Sequence, residues 1–140
     1  MRRVVVDASV AIKWFVLEIH SDAAARWLDP DVLICVPDLI AAELGNTVWK
    51  KLRRDEITPD EAAEILSGFR KLKLEITPSM TLLPAAFALA AELDRTVYDS
   101  LYLALAIARD SRLITADQKF HSAVMMSSFA RHIAWVADEP

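Results

Sequence analysis

Short, uninterrupted apolar runs constrain the fold of this chain most strongly, and the clearest are VVV at residues 4–6 and VLICV at residues 32–36. Neither run alternates apolar with polar residues, so both faces of each strand are predicted to be buried. Longer segments with helical patterning separate the runs, which indicates parallel strands joined by helices. We therefore expect one α/β domain over residues 1–140, a three-layer α/β/α fold with Rossmann-like topology around a central parallel sheet of four to five strands.

The hydrophobic patterning also predicts where the elements begin and end. The predicted strands are Arg3–Val6, Val32–Val36, Leu74–Ile76, Arg112–Thr115 and Ile133–Val136. The predicted helices are Ser9–Leu17, Ser21–Leu28, Pro37 to about Arg54, Thr58 to about Leu72, Leu83–Leu93, Val97–Arg109 and Gln118–Met126. The stretch TPDE, which begins at Thr58, is a capping box that marks the start of one helix.

Composition excludes several classes of protein and site. The net charge of −4 argues against binding nucleic acid over the whole surface, although bound cations could cancel the carboxylates of a nuclease. The single cysteine, Cys35, is expected in the core and excludes an intrachain disulfide or a thiolate zinc site. The three histidines share no ligand spacing, and no phosphate-binding glycine motif is present. No segment is long and apolar enough to span a membrane, so we predict a cytoplasmic protein.

Four acidic residues lie where they could meet. Asp7 follows the first strand and Asp117 follows the strand LIT, and ligands bind beyond the carboxyl ends of parallel strands. Glu43 lies among apolar residues in the helix PDLIAAELGNTVWK, and Asp99 opens the apolar helix VYDSLYLALA. Each also has an ordinary structural explanation, because Asp7 and Asp99 suit the start of a helix and Glu43 suits a solvated helix position.

If the four carboxylates meet, they repel one another and need a compensating cation. Ligands that are all oxygen suit Mg²⁺ or Mn²⁺ better than zinc. Ser9 and Thr115 each lie two residues from one of these acids and could bind a carboxylate, a metal-bound water or the local backbone. Glu43 could hold the metal or accept a proton from the attacking water, and the sequence leaves both roles open.

Four motifs in order, VVVDASV, PDLIAAELGN, YDSLYLALA and LITADQKF, resemble those of the PIN-domain nucleases, most closely the VapC-type toxins of type II toxin–antitoxin pairs. The resemblance covers nearly the whole chain. It implies a catalytic and metal-binding quartet, Asp7, Glu43, Asp99 and Asp117, with supporting polar residues Ser9, Asn46 and Thr115. It further implies an endoribonuclease that hydrolyses RNA phosphodiester bonds with Mg²⁺ or Mn²⁺, a homodimer, and a cognate antitoxin.

Two other functions stay open at this point. One is a phosphohydrolase that uses Asp7 as its nucleophile, although such proteins carry a second aspartate where this chain has Ser9. The other is a catalytically silent PIN-like module that binds RNA or partner proteins, against which the complete quartet argues.

Basic residues near the acids have two interpretations. The cluster Lys50, Lys51, Arg53 and Arg54 ends the helix that carries Glu43. It either stabilises the carboxyl end of that helix or contacts the RNA backbone. Lys13 and Lys119 lie near two of the acids in sequence and could contact phosphate.

Overall fold

A computed structural model describes the whole chain, Met1–Pro140, and confirms the predicted fold class. The strands are β1 (Arg2–Val6), β2 (Val32–Pro37), β3 (Leu74–Thr77), β4 (Leu113–Thr115) and β5 (Ile133–Trp135). They form one parallel sheet in the order β3-β2-β1-β4-β5. Strand β1 is therefore central, and Val5 pairs with Cys35 on one side and Leu113 on the other.

Seven α-helices flank the sheet. They are α1 (Ala8–Ala11), α2 (Ser21–Ala25), α3 (Leu39–Arg53), α4 (Pro59–Arg70), α5 (Ser79–Leu93), α6 (Val97–Ala108) and α7 (Gln118–Met125). Two 3₁₀ turns, Ile12–Trp14 and Ala130–His132, complete the secondary structure. None of these helices combines the length and the apolar character needed to cross a bilayer.

The core explains why the strand sequences are apolar throughout. Val4, Val5 and Val6 are at most 1 % exposed, as expected for the central strand of a sheet covered on both faces. Helix α6 contacts β1, β2 and β4, and its residues from Ser100 to Ala106 are all buried. Because α6 lies against the middle of the sheet, its first turn lies near the edge of the sheet where β1 and β4 end.

The predicted helix Ser9–Leu17 is shorter in the structure, because α1 ends at Ala11 and a 3₁₀ turn follows it to Trp14. Side chains take over the backbone groups that a longer helix would have used. Ser21 Oγ donates to the carbonyl of Val16 and accepts from the N–H of Glu18. Such local side-chain bonds compete with a helix for the same groups.

Two other shifted boundaries involve prolines, and α2 ends at Ala25 rather than at the expected Leu28. Pro37 ends β2 rather than opening a helix, since its position pairs with Thr77 of β3 and α3 begins at Leu39. Helix α5 begins at Ser79, a turn before the expected Leu83, and so contains Pro84. Proline removes the hydrogen bond to the carbonyl of Met80, but both residues are exposed and water can satisfy that group.

Candidate active site

Asp7 lies at the carboxyl end of β1 and caps α1, with its Oδ1 accepting from the N–H of Val10 at 3.3 Å. The capping explanation is therefore correct but incomplete. Oδ1 also accepts from Ser9 Oγ, and Oδ2 accepts from Thr115 Oγ1, each at 2.5 Å. These bonds fix the carboxylate from both sides, while Oδ2 keeps one acceptor position for a further ligand.

The two hydroxyls also bind the backbone on the neighbouring strand end. Ser9 Oγ accepts from the N–H of Ala116 at 2.9 Å, and Thr115 Oγ1 accepts from the N–H of Asp117 at 3.1 Å. The segment after β4 is thereby tied to the segment after β1. This link sets where Asp117 stands relative to Asp7.

Asp99 and Asp117 both contact the guanidinium of Arg95. Asp117 caps α7 by accepting from the N–H of Phe120 at 3.1 Å, and Asp99 lies in the first turn of α6, which Thr96 caps. Arg95 Nη2 lies 2.9 Å from Asp99 Oδ2 and 3.8 Å from Asp117 Oδ2. One positive group therefore contacts two acids from different helices.

Glu43 reaches the same region from α3. Its Oε1 accepts a hydrogen bond of 2.5 Å from the hydroxyl of Tyr102, which is buried on α6. Tyr102 lies in the turn of α6 after Asp99, so this bond connects Glu43 to the helix that carries Asp99. Burial raises the pKa of Tyr102, and the negative charge of Glu43 raises it further, so the hydroxyl stays protonated and acts as a donor.

Burial raises the pKa of Asp7 from 3.8 to about 6. The hydrogen bonds from Ser9, Thr115 and Val10 oppose this increase, and the charge of Asp99 adds to it. A carboxyl group that is 7 % exposed and has no basic partner carries an uncompensated charge when ionised.

The other acids influence one another in the same way. Burial raises the pKa of Glu43 against its bond to Tyr102, and the charge of Asp99 adds to the increase. Burial also raises the pKa of Asp99 against its contact with Arg95, and the charge of Asp117 adds to the increase. The acids that sequence spacing and resemblance single out thus belong to one electrostatic cluster, which we call the acid cluster: Asp7, Glu43, Asp99 and Asp117.

The acid cluster suits a hard cation in its chemistry but is not drawn tightly around one. All of its donors are carboxylate oxygens, which Mg²⁺ and Mn²⁺ favour as ligands, and burial raises the pKa values of Asp7, Glu43 and Asp99. No three carboxylate, imidazole or thiol groups of the chain stand close enough together to hold a metal ion. Asp99 and Asp117 instead contact Arg95, and Glu43 accepts a hydrogen bond from Tyr102, so these three carboxylates have partners within the chain.

The remaining candidate residues, Asn46, Lys119 and Lys13, form no hydrogen bond or ion pair with the four acids. Asn46 is exposed on α3 one turn after Glu43, and its side chain makes no hydrogen bond within the chain. Lys119 is exposed at the start of α7. The expectation that Lys13 contacts phosphate is wrong, because Lys13 is buried and binds Glu18 at 3.0 Å and the carbonyl of Ile19 at 2.7 Å.

The basic residues at the end of α3 have partners of their own. Lys51 lies 3.3 Å from Glu18, and the guanidinium of Arg53 lies 5.2 Å from the centre of the Trp49 ring. Lys50 and Arg54 are exposed. Of these four residues, Lys50 and Arg54 therefore remain the candidates for contact with the RNA backbone.

Sequence reasoning missed Tyr102 and Arg95, although each left a signal. Arg95 precedes Asp99 by four residues, the spacing at which opposite charges meet around a helix turn. Tyr102 is the only polar side chain in the run LYLALA, and a buried tyrosine hydroxyl needs a partner.

Replacing Tyr102 with phenylalanine is expected to raise the pKa of Glu43 further, because the hydroxyl stabilises the ionised form of that carboxylate. NMR titration of ¹³C-labelled glutamate carboxyl groups measures the change directly. Tyr98→Phe is the matched control, since Tyr98 lies on the same helix but is 60 % exposed. An unchanged Glu43 titration in Tyr102→Phe would show that the hydrogen bond does not hold Glu43.

Comparison with known proteins places this site in a family. The family model described as "PIN domain" matches residues 4–124. Ribonuclease VapC3 of Pyrobaculum aerophilum is 36 % identical over 121 residues, which are 84 % of this chain and 91 % of that protein. Ribonuclease VapC9 of Mycobacterium tuberculosis is 30 % identical over 114 residues, which are 81 % of this chain and 85 % of that protein.

Solved structures support the same fold. PAE2754 from Pyrobaculum aerophilum has a TM-score of 0.67 at 22 % identity, over 96 % of this chain and 84 % of that one. VapBC2 from Rickettsia felis, bound to a DNA fragment from its promoter, has a TM-score of 0.66 at 18 % identity, over 95 % of this chain and 98 % of that one. From the match of the family model and the identity to these relatives, this chain belongs to the PIN-domain family, in which its named relatives are VapC ribonucleases.

Proposed function

We propose that this chain is the toxin of a toxin–antitoxin pair, an endoribonuclease that hydrolyses RNA phosphodiester bonds with a divalent cation. The observation that carries the proposal is the acid cluster, which forms from four separate elements at the rim where β1 and β4 end. Family membership supports it, since relatives at 30 % identity or more are ribonucleases. The resemblance of the four acidic motifs to those of PIN-domain nucleases implies that the cation is Mg²⁺ or Mn²⁺.

Mg²⁺ or Mn²⁺ would be held by Asp7, Asp99 and Asp117, with Glu43 as a further ligand or as the base. When bound, the cation supplies an acidified, oriented water and neutralises charge on the reacting phosphate. Within the chain, Ser9 and Thr115 hold the Asp7 carboxylate in a fixed orientation. The raised pKa of Glu43 makes it a better proton acceptor than an exposed glutamate.

The alternative in which Asp7 is a nucleophile gains no support from the geometry. Its Oδ1 accepts two hydrogen bonds, its Oδ2 accepts one, and the residue is 7 % exposed. The acceptor position left on Oδ2 belongs to an almost fully buried residue, and Ser9 stands where such phosphohydrolases carry their second aspartate. The arrangement favours an orienting and metal-binding role for Asp7.

Two further features of the proposal concern partners and location. An antitoxin is the expected partner, because solved structures of this fold include a toxin–antitoxin complex from Klebsiella pneumoniae. The homodimer stays a prediction, for which α5 offers a surface: Met80, Leu83 and Phe87 are exposed apolar residues along one side of that helix. Action on RNA is consistent with a cytoplasmic location.

Removing divalent cations is expected to slow RNA cleavage at least about a hundredfold, since the cation both activates the water and offsets the charge of the phosphate. Purified protein is incubated with a defined single-stranded RNA in Mg²⁺, in Mn²⁺ or in excess chelator, and products are resolved on a denaturing gel. Restoring the cation in excess of chelator should restore cleavage. Equal cleavage with and without chelator would contradict the proposal.

A further inference from the structure

Arg95 is held inside the acid cluster rather than moving freely over the surface. Its side chain is 23 % exposed, and its guanidinium carbon lies 5.3 Å from the ring centre of Phe120, which is buried. Its Nη2 contacts Asp99 Oδ2 at 2.9 Å and Asp117 Oδ2 at 3.8 Å. Arg95 therefore contacts carboxylates of two different segments with one nitrogen atom.

Arg95 is also the only basic group that contacts the acid cluster. Asp7 and Glu43 form no ion pair, and Asp99 and Asp117 form ion pairs with Arg95 alone. One guanidinium cannot neutralise four carboxylates, and only two of the four contact it. The cluster keeps an excess of negative charge that a cation of higher charge would offset better.

The position of Arg95 is not ideal for the arginine itself. Its Nε is buried and has no hydrogen-bond partner, which is an unfavourable state for a charged donor. A divalent cation would approach carboxylate oxygens to about 2.1 Å, compared with the 2.9 Å contact of the guanidinium. Twice the charge at a shorter distance gives the cation the stronger attraction to the same oxygens.

We propose that Arg95 is an exchangeable counter-ion of the acid cluster. It neutralises Asp99 and Asp117 when no metal is bound, and it competes with the divalent cation for these two carboxylates. Arg95 is thus a positioning residue that sets the cation concentration at which the site is loaded. The inference rests on the proposed function, because the competing cation is the one assigned there to the acid cluster.

Calorimetric titration with Mn²⁺ at constant ionic strength tests the competition without measuring activity. Arg95→Gln is expected to bind Mn²⁺ about five- to tenfold more tightly than the parent, because the competing charge is gone. Arg95→Lys keeps the charge and should bind within about twofold of the parent. Arg109→Gln is the matched control, since Arg109 pairs with Glu75 at 3.4 Å outside the cluster and its loss changes the net charge equally.

Thermal denaturation with and without Mn²⁺ supplies a second readout, because a merely structural role of Arg95 would not make the effect of its loss depend on the cation. Without divalent cations, Arg95→Gln should unfold at a lower temperature than Arg109→Gln, because the carboxylates lose their counter-ion. Saturating Mn²⁺ should raise the unfolding temperature of Arg95→Gln by more than that of the parent. Arg95→Met, which keeps an apolar stem over Phe120, provides the same comparison if the glutamine variant does not fold.

The outcomes separate the two claims. If Mn²⁺ binds the parent, Asp99→Asn abolishes that binding, and both Arg95→Gln and Arg95→Met bind Mn²⁺ no more tightly than the parent, the exchange is refuted while the metal site stands. If the parent binds no Mn²⁺, the exchange and the metal site of the proposed function fail together. Tighter binding in Arg95→Gln or Arg95→Met, with Arg109→Gln unchanged, supports the exchange.

Discussion

Replacing Asp99 with asparagine is expected to lower the rate of RNA cleavage at least about a hundredfold while the protein stays folded. Asp99 lies at the centre of the acid cluster, because its charge affects both Asp7 and Glu43 and it shares Arg95 with Asp117. Asparagine keeps the size of the side chain but removes the anionic oxygen that a cation needs. Single-turnover cleavage of a defined RNA in Mg²⁺, with circular dichroism to verify folding, measures the effect.

The matched control for Asp99→Asn is Asp110→Asn. Asp110 also pairs with an arginine, Arg131 at 3.4 Å, but lies at the other end of α6. Its left-handed backbone, with φ of 47°, suits asparagine as well as aspartate. Asp110→Asn should cleave RNA at the parent rate. Parent-like cleavage by Asp99→Asn would remove Asp99 from the site, provided that chelator abolishes the activity of all three preparations and so excludes a metal-independent contaminating ribonuclease.

The stability of the metal-free protein is expected to rise as the pH falls from about 8 to about 4, relative to an Asp7→Asn variant. Burial raises the pKa of Asp7 to about 6 in the folded protein, from 3.8 for an unperturbed aspartate. Between these values the folded state binds a proton that the unfolded state does not, so acidification favours folding. The stabilisation is complete below the lower value and is lost as the pH rises through the higher one, a change of about 3 kcal/mol.

Urea denaturation in metal-free buffer, followed by the fluorescence of the four tryptophans, measures this difference at each pH. The comparison with Asp7→Asn cancels titrations that the two proteins share. Asp110→Asn serves as the control for the loss of one carboxylate at an exposed position, where Asp110 pairs with Arg131. A parent that loses stability on acidification to the same extent as Asp7→Asn would show that Asp7 is ionised and well compensated in the fold.

The sheet could be predicted because its information is local and strong. Runs such as VVV and VLICV are too short for helices and too apolar for a strand with one wet face, so they indicated buried parallel strands. The prediction of a helix over Ser9–Leu17 was wrong about its length, because the end of that helix is set by side-chain contacts. Its end depends on bonds from Ser21 to Val16 and from Lys13 to Ile19, and periodicity carries no information about such contacts.

In the candidate site, too, the placement of residues by the sheet could be predicted, whereas contacts between distant side chains could not. The rule that parallel strands end at one rim was enough to place Asp7 near Asp117, and the bonds through Ser9 and Thr115 agree with it. Nothing in the sequence near Glu43 indicates that a tyrosine 59 positions away would hold it. The wrong expectation for Lys13 came from treating nearness in sequence as nearness of side-chain ends, whereas that lysine turns inward to Glu18.

Helix α6 carries Asp99 directly and fixes Glu43 through Tyr102, whereas Asp7 and Asp117 are fixed to each other through the strand ends. The four acids are consequently held in two pairs, one fixed by α6 and the other fixed at the ends of β1 and β4. A displacement of α6 by a fraction of an ångström would change all the distances between these two pairs together. Volume changes at its buried residues, such as Leu103 and Leu105, therefore offer a way to retune the nuclease without touching any of its acids.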